Sequence, residues 1–173
     1  MAERAVIVEI PGLVWDGGAP MPVLISTDHR TLIAFYVPDR DVTDGLEVQT
    51  AEFNGCASVM FGFPNDEVLH GHRLHGHGLE WYGLHVIEES TWIAELVRIE
   101  RVHDRAPAEP FAGSKHYLLA FHDSTLEAIA EDLVPLARYR YMDEAVAALV
   151  TLARPPGGYF SGPASDDEPG PPS

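Results

Sequence analysis

Residues 116–137, HYLLAFHDSTLEAIAEDLVPLA, decide between two folds for the second half of the chain. The STLE sequence that starts at Ser124 matches a helix capping box, and apolar residues follow it at helical spacing. Pro135 argues against this helix, because it lies too far inside the segment to be a first-turn proline. The alternative is a hairpin of two strands that turns at residues 122–125. The sequence leaves both interpretations open.

Most of the remaining chain is typical of β-structure. Short apolar runs rich in β-branched residues are separated by Gly, Pro, Asn and Asp, which is the pattern of strands and turns. The predicted strand segments are 5–10, 23–26, 31–37, 47–63, 80–89 and 116–121. The Asn54-Gly55 pair predicts a hairpin turn inside the longest of these segments, and residues 56–63 would then form a central strand.

Two other segments are typical of helices. Ser90 or Thr91 can cap a helix over residues 92–102, and residues 142–154 carry two acids in the first turn and one apolar face. Strands and helices do not alternate regularly, so a doubly wound sheet is not expected. We therefore predict an α+β fold, with a mainly antiparallel sheet that could curl toward a barrel and with two or three helices.

The length of the chain predicts one globular domain. It has 173 residues, which is the size of a single domain. We place that domain at residues 1–154. Residues 155–173 hold ten Pro or Gly among 19 residues, together with three acids. Such a composition does not build a core, so we expect this Pro/Gly-rich acidic tail to be disordered.

The charge balance indicates which partners are unsuitable. The chain carries 27 acidic and 11 basic residues, a formal net charge of −16. This field repels phosphates, so we expect binding neither to nucleic acid nor to anionic membranes. No apolar run approaches the ~20 residues that a membrane span needs. The single cysteine, Cys56, excludes an internal disulfide. We expect a soluble cytoplasmic protein whose oligomeric state the sequence does not indicate.

A cluster of four histidines is the most unusual feature of the sequence, within residues 69–80, LHGHRLHGHGLE. Residues two apart in an extended segment face the same way, so each His-Gly-His triplet could chelate an ion. The predicted metal ligands are His70, His72, His75, His77 and Glu80. The expected cofactor is a divalent transition metal (Zn, Fe, Ni or Cu). Without a metal, these histidines would transfer protons to and from a substrate.

Two other groups of residues are candidates for a site. His122 could act as a general acid or base, oriented by Asp123 or Glu127, because it lies at the expected end of a buried strand. In the alternative interpretation, Asp123 merely caps the turn that follows. Trp81 and Tyr82 come directly after the histidine cluster and could form the apolar wall of a pocket for a small-molecule ligand or cofactor.

Two functions are favoured, and a third, weaker one is metal storage or sensing by the histidine-rich loop alone. The first is a small enzyme that acts on a small molecule through the histidine-rich loop, with or without a metal. The second is a non-catalytic, acidic binding protein, whose charge would attract a basic partner. In elemental analysis of protein purified without an affinity tag, a stoichiometric transition metal would favour the enzyme or metal storage. Its absence, with the histidines pointing into solvent, would favour the binding protein.

Truncation after Arg154 tests the predicted independence of the tail. We expect the melting temperature to stay nearly unchanged, because a segment so rich in Pro and Gly adds little buried surface. A decrease of more than ~5 °C in a thermal unfolding experiment would show instead that the tail packs on the domain.

Overall fold

The computed structural model describes residues 2–18, 21–39, 41–43 and 45–155. Within these residues the chain forms nine strands and two α-helices, and one 3-10 helix at Asp66–Gly71. The strands are β1 (Arg4–Ile7), β2 (Val23–Ser26), β3 (Thr31–Pro38), β4 (Leu46–Asn54), β5 (Ser58–Gly62), β6 (Leu84–Glu88), β7 (Lys115–Ala120), β8 (Thr125–Ala130) and β9 (Asp132–Tyr139). The α-helices are α1 (Thr91–Glu100) and α2 (Met142–Ala153).

The strands form two antiparallel sheets. The first has the order β1-β6-β7-β8-β5 and the second has the order β2-β3-β4-β9. All the strand pairs within them are antiparallel, which confirms the predicted α+β class with an antiparallel architecture. The sheets stay open, and the described strands do not close into a barrel.

The main core lies between the two sheets. Alternate residues of a strand point to the same face, and in β3 the residues Ile33, Phe35 and Val37 face this core. From the first sheet, Tyr117 of β7 and Leu126 of β8 join the same cluster. All five side chains are at most 1% exposed. The sheets are therefore held together by apolar burial, the largest favourable contribution to folding.

Two smaller clusters cover the outer faces of the sheets. Helix α2 lays Ala145 and Leu149 on the outward side of β3. On the first sheet, Leu69 and Leu74 of the histidine-rich loop pack over Leu118 of β7. The loop is thus part of the folded domain and covers the outward face of β7. That face also carries His116, two residues before Leu118, and this placement builds the site described below.

Residues 116–137 form strands, so the hairpin interpretation is the correct one. The turn lies at residues 121–124, where the Phe121 amide donates to the Ser124 carbonyl at 2.9 Å. All six residues of β8 are buried, because one face meets the main core and the other is covered by the loop. A strand buried on both sides loses the alternation of apolar and polar residues, which explains why its pattern also suits a helix. Pro135 lies in β9 beside a register shift of β4.

The hairpin prediction for Asn54-Gly55 was wrong. This turn joins β4 of the second sheet to β5 of the first, so the two strands do not pair with each other. Gly55 has a φ of +59°, and an added Cβ would lie 2.8 Å from the Glu131 side chain. The sequence therefore predicted the turn itself correctly, but this turn connects two different sheets and not two paired strands. As a result β5 is an edge strand and not a central one.

Two other predictions concern the ends of the chain and membranes. The tail at residues 155–173 lies outside the described residues, apart from Pro155. Among the helices that are described, none combines the length and the apolar character that crossing a bilayer requires.

Replacing Leu149 with alanine tests the packing of α2 on the second sheet. Leu149 is fully buried, so the cavity left behind should cost about 3 kcal/mol, or roughly 6–12 °C in Tm. Val150→Ala is the matched control on the same helix, because Val150 is 45% exposed. Equal effects of the two changes on thermal unfolding would contradict this packing.

Candidate functional site

A buried carboxylate, Glu127, lies on the outward face of β8. Its side chain is only 9% exposed. Arg73 donates two hydrogen bonds to it, from Nη1 to Oε1 at 3.1 Å and from Nη2 to Oε2 at 2.6 Å. His116 Nε2 lies 2.9 Å from Oε2, and His72 Nε2 lies 3.4 Å from Oε1. Burial alone would raise the pKa of Glu127, but the bonds from His116, His72 and Arg73 hold it far below its ordinary value. Glu127 is therefore ionised.

The ionised carboxylate fixes the protonation of the neighbouring imidazole. A carboxylate only accepts hydrogen bonds, so His116 carries its proton on Nε2 and donates it to Glu127. The other nitrogen, Nδ1, then accepts from the hydroxyl of Ser90 at 2.7 Å. Three side chains thus form one directed series of hydrogen bonds, from Ser90 to His116 to Glu127. We refer to these three residues as the Ser90 relay.

The fold places the serine at a sharp junction between a strand and a helix. Strand β6 ends at Glu88, Glu89 follows with a φ of +54°, and α1 begins at Thr91. Such a φ is uncommon for a residue other than glycine, and it turns the chain abruptly. Ser90 is the N-cap of α1, and its Oγ accepts from the Ile93 amide at 3.1 Å. One bond from that amide still leaves the Oγ a free lone pair.

The relay opens onto a cavity of about 480 Å³. Ser90 and His116 belong to its wall, together with apolar side chains such as Val86 and Ile93. His116 is fully buried and packs edge-on against the Trp92 ring, with 5.2 Å between ring centroids. The imidazole is therefore shielded from bulk water, while the serine hydroxyl borders a space that a small molecule can enter.

A second polar cluster surrounds His122. Its Nδ1 lies 2.9 Å from an Asp123 oxygen, and its Nε2 lies 3.8 Å from Asp66. The Tyr82 hydroxyl donates to Asp66 at 2.5 Å, and its ring stacks on His122. The bond to Asp123, followed by the charge of Asp66, raises the pKa of His122, and the bond to Asp66 raises the pKa of Tyr82. Unlike the relay, this cluster is open to solvent, since half of the His122 side chain is exposed.

Tyr82 also borders a second cavity, of about 720 Å³. Trp15 and Trp81 line the same cavity. The Trp15 indole donates to the Tyr82 carbonyl at 2.7 Å, and the Trp81 indole donates to the Asp66 carbonyl at 3.0 Å. Tyr82 has a φ of +58°, so these bonds help to hold a strained backbone in place.

The histidines of the loop do not converge on one point. The rings of His70 and His75 approach each other at 6.4 Å between centroids, whereas His72 turns inward to Glu127. His77 and Glu80 are exposed. In the described part of the chain there is no group of three His, Cys, Asp or Glu side chains that could hold a metal ion. The predicted metal site therefore receives no support from the arrangement of these residues.

The predicted catalytic residues fall into two separate places. His122 and Asp123 are together, whereas Glu127 is bonded to His116 and Arg73 instead. Sequence reasoning missed three participants, which are Ser90 (except as a helix cap), Arg73 and His116. It considered Asp66 only as a possible oxygen ligand or as part of a solvated turn. The sequence did carry a signal for His116. In a β7–β8 hairpin, His116 and Glu127 lie on the same face, diagonally across the strand pair.

Comparisons with protein-family models, with curated proteins and with solved structures find no match for this chain. The function is therefore argued from the geometry alone.

Replacing Glu127 with glutamine tests the importance of the buried carboxylate. The change removes the buried negative charge that Arg73 and His116 hold, so we expect a loss of about 3 kcal/mol, or roughly 6–12 °C in Tm. Because folding lowers the pKa of Glu127 from 4.5, its contribution is complete above that pH and is lost as the pH falls further. The difference in Tm between wild type and variant should therefore narrow on acidification.

Asp132→Asn is the matched control for this experiment. It breaks the exposed ion pair between Lys115 of β7 and Asp132 of β9, and exposed pairs contribute little. A Glu127→Gln variant as stable as this control would show that the buried network does not stabilise the fold.

Proposed function

We propose that the protein is a hydrolase that cleaves small acyl esters, with Ser90 as the nucleophile. The observation that carries this proposal is the direction of the hydrogen bonds in the Ser90 relay. The serine donates to an imidazole nitrogen, the imidazole donates to an ionised carboxylate, and the serine borders a cavity. Nucleophilic catalysis by serine requires these three roles in this order.

The first half of the reaction forms an acyl-enzyme. Ser90 Oγ attacks the carbonyl carbon of the ester, and its proton passes to His116 Nδ1. The bond between the carbonyl carbon and the leaving oxygen then breaks, and that oxygen takes the proton from His116 Nδ1. The products of this half are a free alcohol and an ester between the acyl group and Ser90.

Water completes the reaction. A water molecule attacks the carbonyl carbon of the acyl-enzyme and gives a proton to His116 Nδ1. The bond from that carbon to Ser90 Oγ breaks, and Oγ recovers the proton. A carboxylic acid leaves, and the relay returns to its starting state. Throughout, Glu127 keeps the imidazole oriented and stabilises the positive charge that it acquires.

The imidazole is turned the opposite way from the usual serine triad. In that triad Nε2 faces the serine and Nδ1 faces the acid, whereas here Nδ1 faces Ser90 and Nε2 faces Glu127. The two ring nitrogens exchange protons equally well, so the reversal preserves the sequence of proton transfers. Arg73 and His72 of the histidine-rich loop hold the carboxylate, which gives that loop a supporting role.

A second candidate function rests on the larger cavity. Tyr82 lines this cavity together with Trp81. Its hydroxyl is bonded to Asp66, which lies near His122. These groups favour a site where a small molecule binds and exchanges protons. Asp123 would orient His122 in this site. The solvent exposure of His122 makes this candidate weaker than the shielded Ser90 relay.

The test is covalent labelling of Ser90 by a fluorophosphonate, together with hydrolysis of p-nitrophenyl acetate. We expect Ser90→Ala to abolish labelling and to lower the hydrolysis rate by at least ~10³-fold, since no other described side chain replaces the nucleophile. Ser114→Ala is the matched control, because Ser114 lines the same cavity without a histidine partner. It should label at the wild-type rate.

Ser90→Asn separates catalysis from helix capping. Asparagine caps helices as well as serine does, so this variant should keep α1 intact while losing all labelling. If the label is found by mass spectrometry on another residue, or if neither the wild type nor the Glu3 variants described below are labelled, Ser90 is a structural cap and the proposed function is wrong.

A further inference from the structure

The backbone amide that follows Ser90 is already occupied by a carboxylate of the same chain. The Thr91 amide donates to Glu3 Oε1 at 2.7 Å. The second oxygen, Oε2, accepts from Arg73 Nε at 3.3 Å. The Glu3 side chain is only 12% exposed, so one anion is held next to the serine by an amide and a guanidinium.

This position matters for acyl transfer. The oxygen of the tetrahedral intermediate is negatively charged, and the amide of the residue after the nucleophile is a common donor to it. Thr91 is that residue here. The Ile93 amide is bonded to Ser90 Oγ and the Ala94 amide to the Ser90 carbonyl. Glu3 therefore occupies the amide that would serve as this donor.

We propose that Glu3 closes the active site by occupying its oxyanion position, as a carboxylic acid product would, and that the substrate must displace it. This inference rests on the proposed hydrolase function. It also specifies the substrate class, which is an ester whose released acid can bind through its carboxylate to the Thr91 amide and to Arg73.

The local structure allows this displacement. The β1–β6 ladder begins with the pair Arg4–Glu88, so Glu3 lies just before the paired strand. Moving Glu3 away breaks its bonds to Thr91 and Arg73 and leaves that ladder in place. Arg73 keeps its two bonds to Glu127, so the Ser90 relay is preserved.

The ionisation of Glu3 agrees with its role as an internal anion. Burial would raise the pKa of Glu3, but the bond from Thr91, followed by the charge and the bond of Arg73, outweighs that effect and lowers the pKa. The side chain is therefore charged at neutral pH, as the oxyanion would be.

The experiment compares Glu3→Ala with wild type in the rate of Ser90 labelling by a fluorophosphonate and in kcat/KM for p-nitrophenyl acetate. Since one oxyanion donor contributes roughly 10²–10³ in rate, freeing the Thr91 amide should raise both quantities by at least ~10-fold. Glu88→Ala is the matched control. It removes an exposed carboxylate that pairs with Arg4, and both quantities should stay within about twofold of wild type.

Added acetate provides a second measurement. In the Glu3→Ala variant, millimolar acetate should bind to the vacant amide and guanidinium and return the labelling rate toward the wild-type value. Chloride at the same ionic strength should not do so. Wild type should be insensitive to acetate, because its own carboxylate already fills the position.

The Glu3→Gln variant keeps the proposal testable if the Glu3→Ala protein does not fold. The amide oxygen of glutamine still accepts from Thr91 but without a negative charge, so we expect a smaller increase, above about twofold. One possible result is that Ser90→Ala abolishes labelling but no Glu3 variant accelerates it. This result would overturn the proposed closure by Glu3 and would leave the proposed hydrolase function standing. Labelling that persists in the Ser90→Ala, Glu3→Ala double variant would refute the hydrolase itself.

Discussion

The ionised carboxylate of Glu127 is the interaction on which the rest of the site depends. An unpaired charge on a nearly buried side chain would be strongly unfavourable, so the fold must supply donors around it. Arg73 comes from the histidine-rich loop and His116 from the neighbouring strand β7. One residue thereby joins the loop to the first sheet and fixes the tautomer of the imidazole. The same requirement that stabilises the charge also leaves His116 Nδ1 to accept a hydrogen bond from Ser90.

The position of Ser90 follows from the way in which the chain leaves the first sheet. The strand β6 runs beside β7, so its end lies close to His116. The abrupt turn at Glu89 then starts α1, whose first amides point toward the space beside the serine. Helix N-termini stabilise negative charge because their amides are unpaired. In this protein the Glu3 carboxylate supplies that charge. One junction thus places the helix cap, its bond to His116 and the bound Glu3 carboxylate side by side.

The histidine-rich loop contributes in a different way from the one that its composition suggests. Leu69, Leu74 and Leu79 anchor it on the outward face of the sheet. That packing turns His72 inward to Glu127 and leaves His70, His75 and His77 exposed. The alternation of His and Gly is a strand-like pattern, but the chain here forms a 3-10 helix and a series of turns. Residues two apart therefore do not lie on one strand face, and in the first expected pair His72 is turned toward Glu127 while His70 is exposed.

The sequence by itself determined the α+β class, the antiparallel strands and the two helices, because apolar periodicity, caps and turn residues are local signals. It also identified Glu127, His122 and Tyr82 as candidates, since polar groups beside apolar runs stand out. Only the tertiary structure decided which strands pair, that Asn54-Gly55 crosses between sheets, and that residues 125–130 form a strand buried on both faces. It alone brought Glu3, Arg73, Ser90 and His116 together around Glu127. These contacts join residues far apart in the chain. The charge pairing and hydrogen bonds that offset the desolvation of these groups exist only after the sheet and the loop have packed.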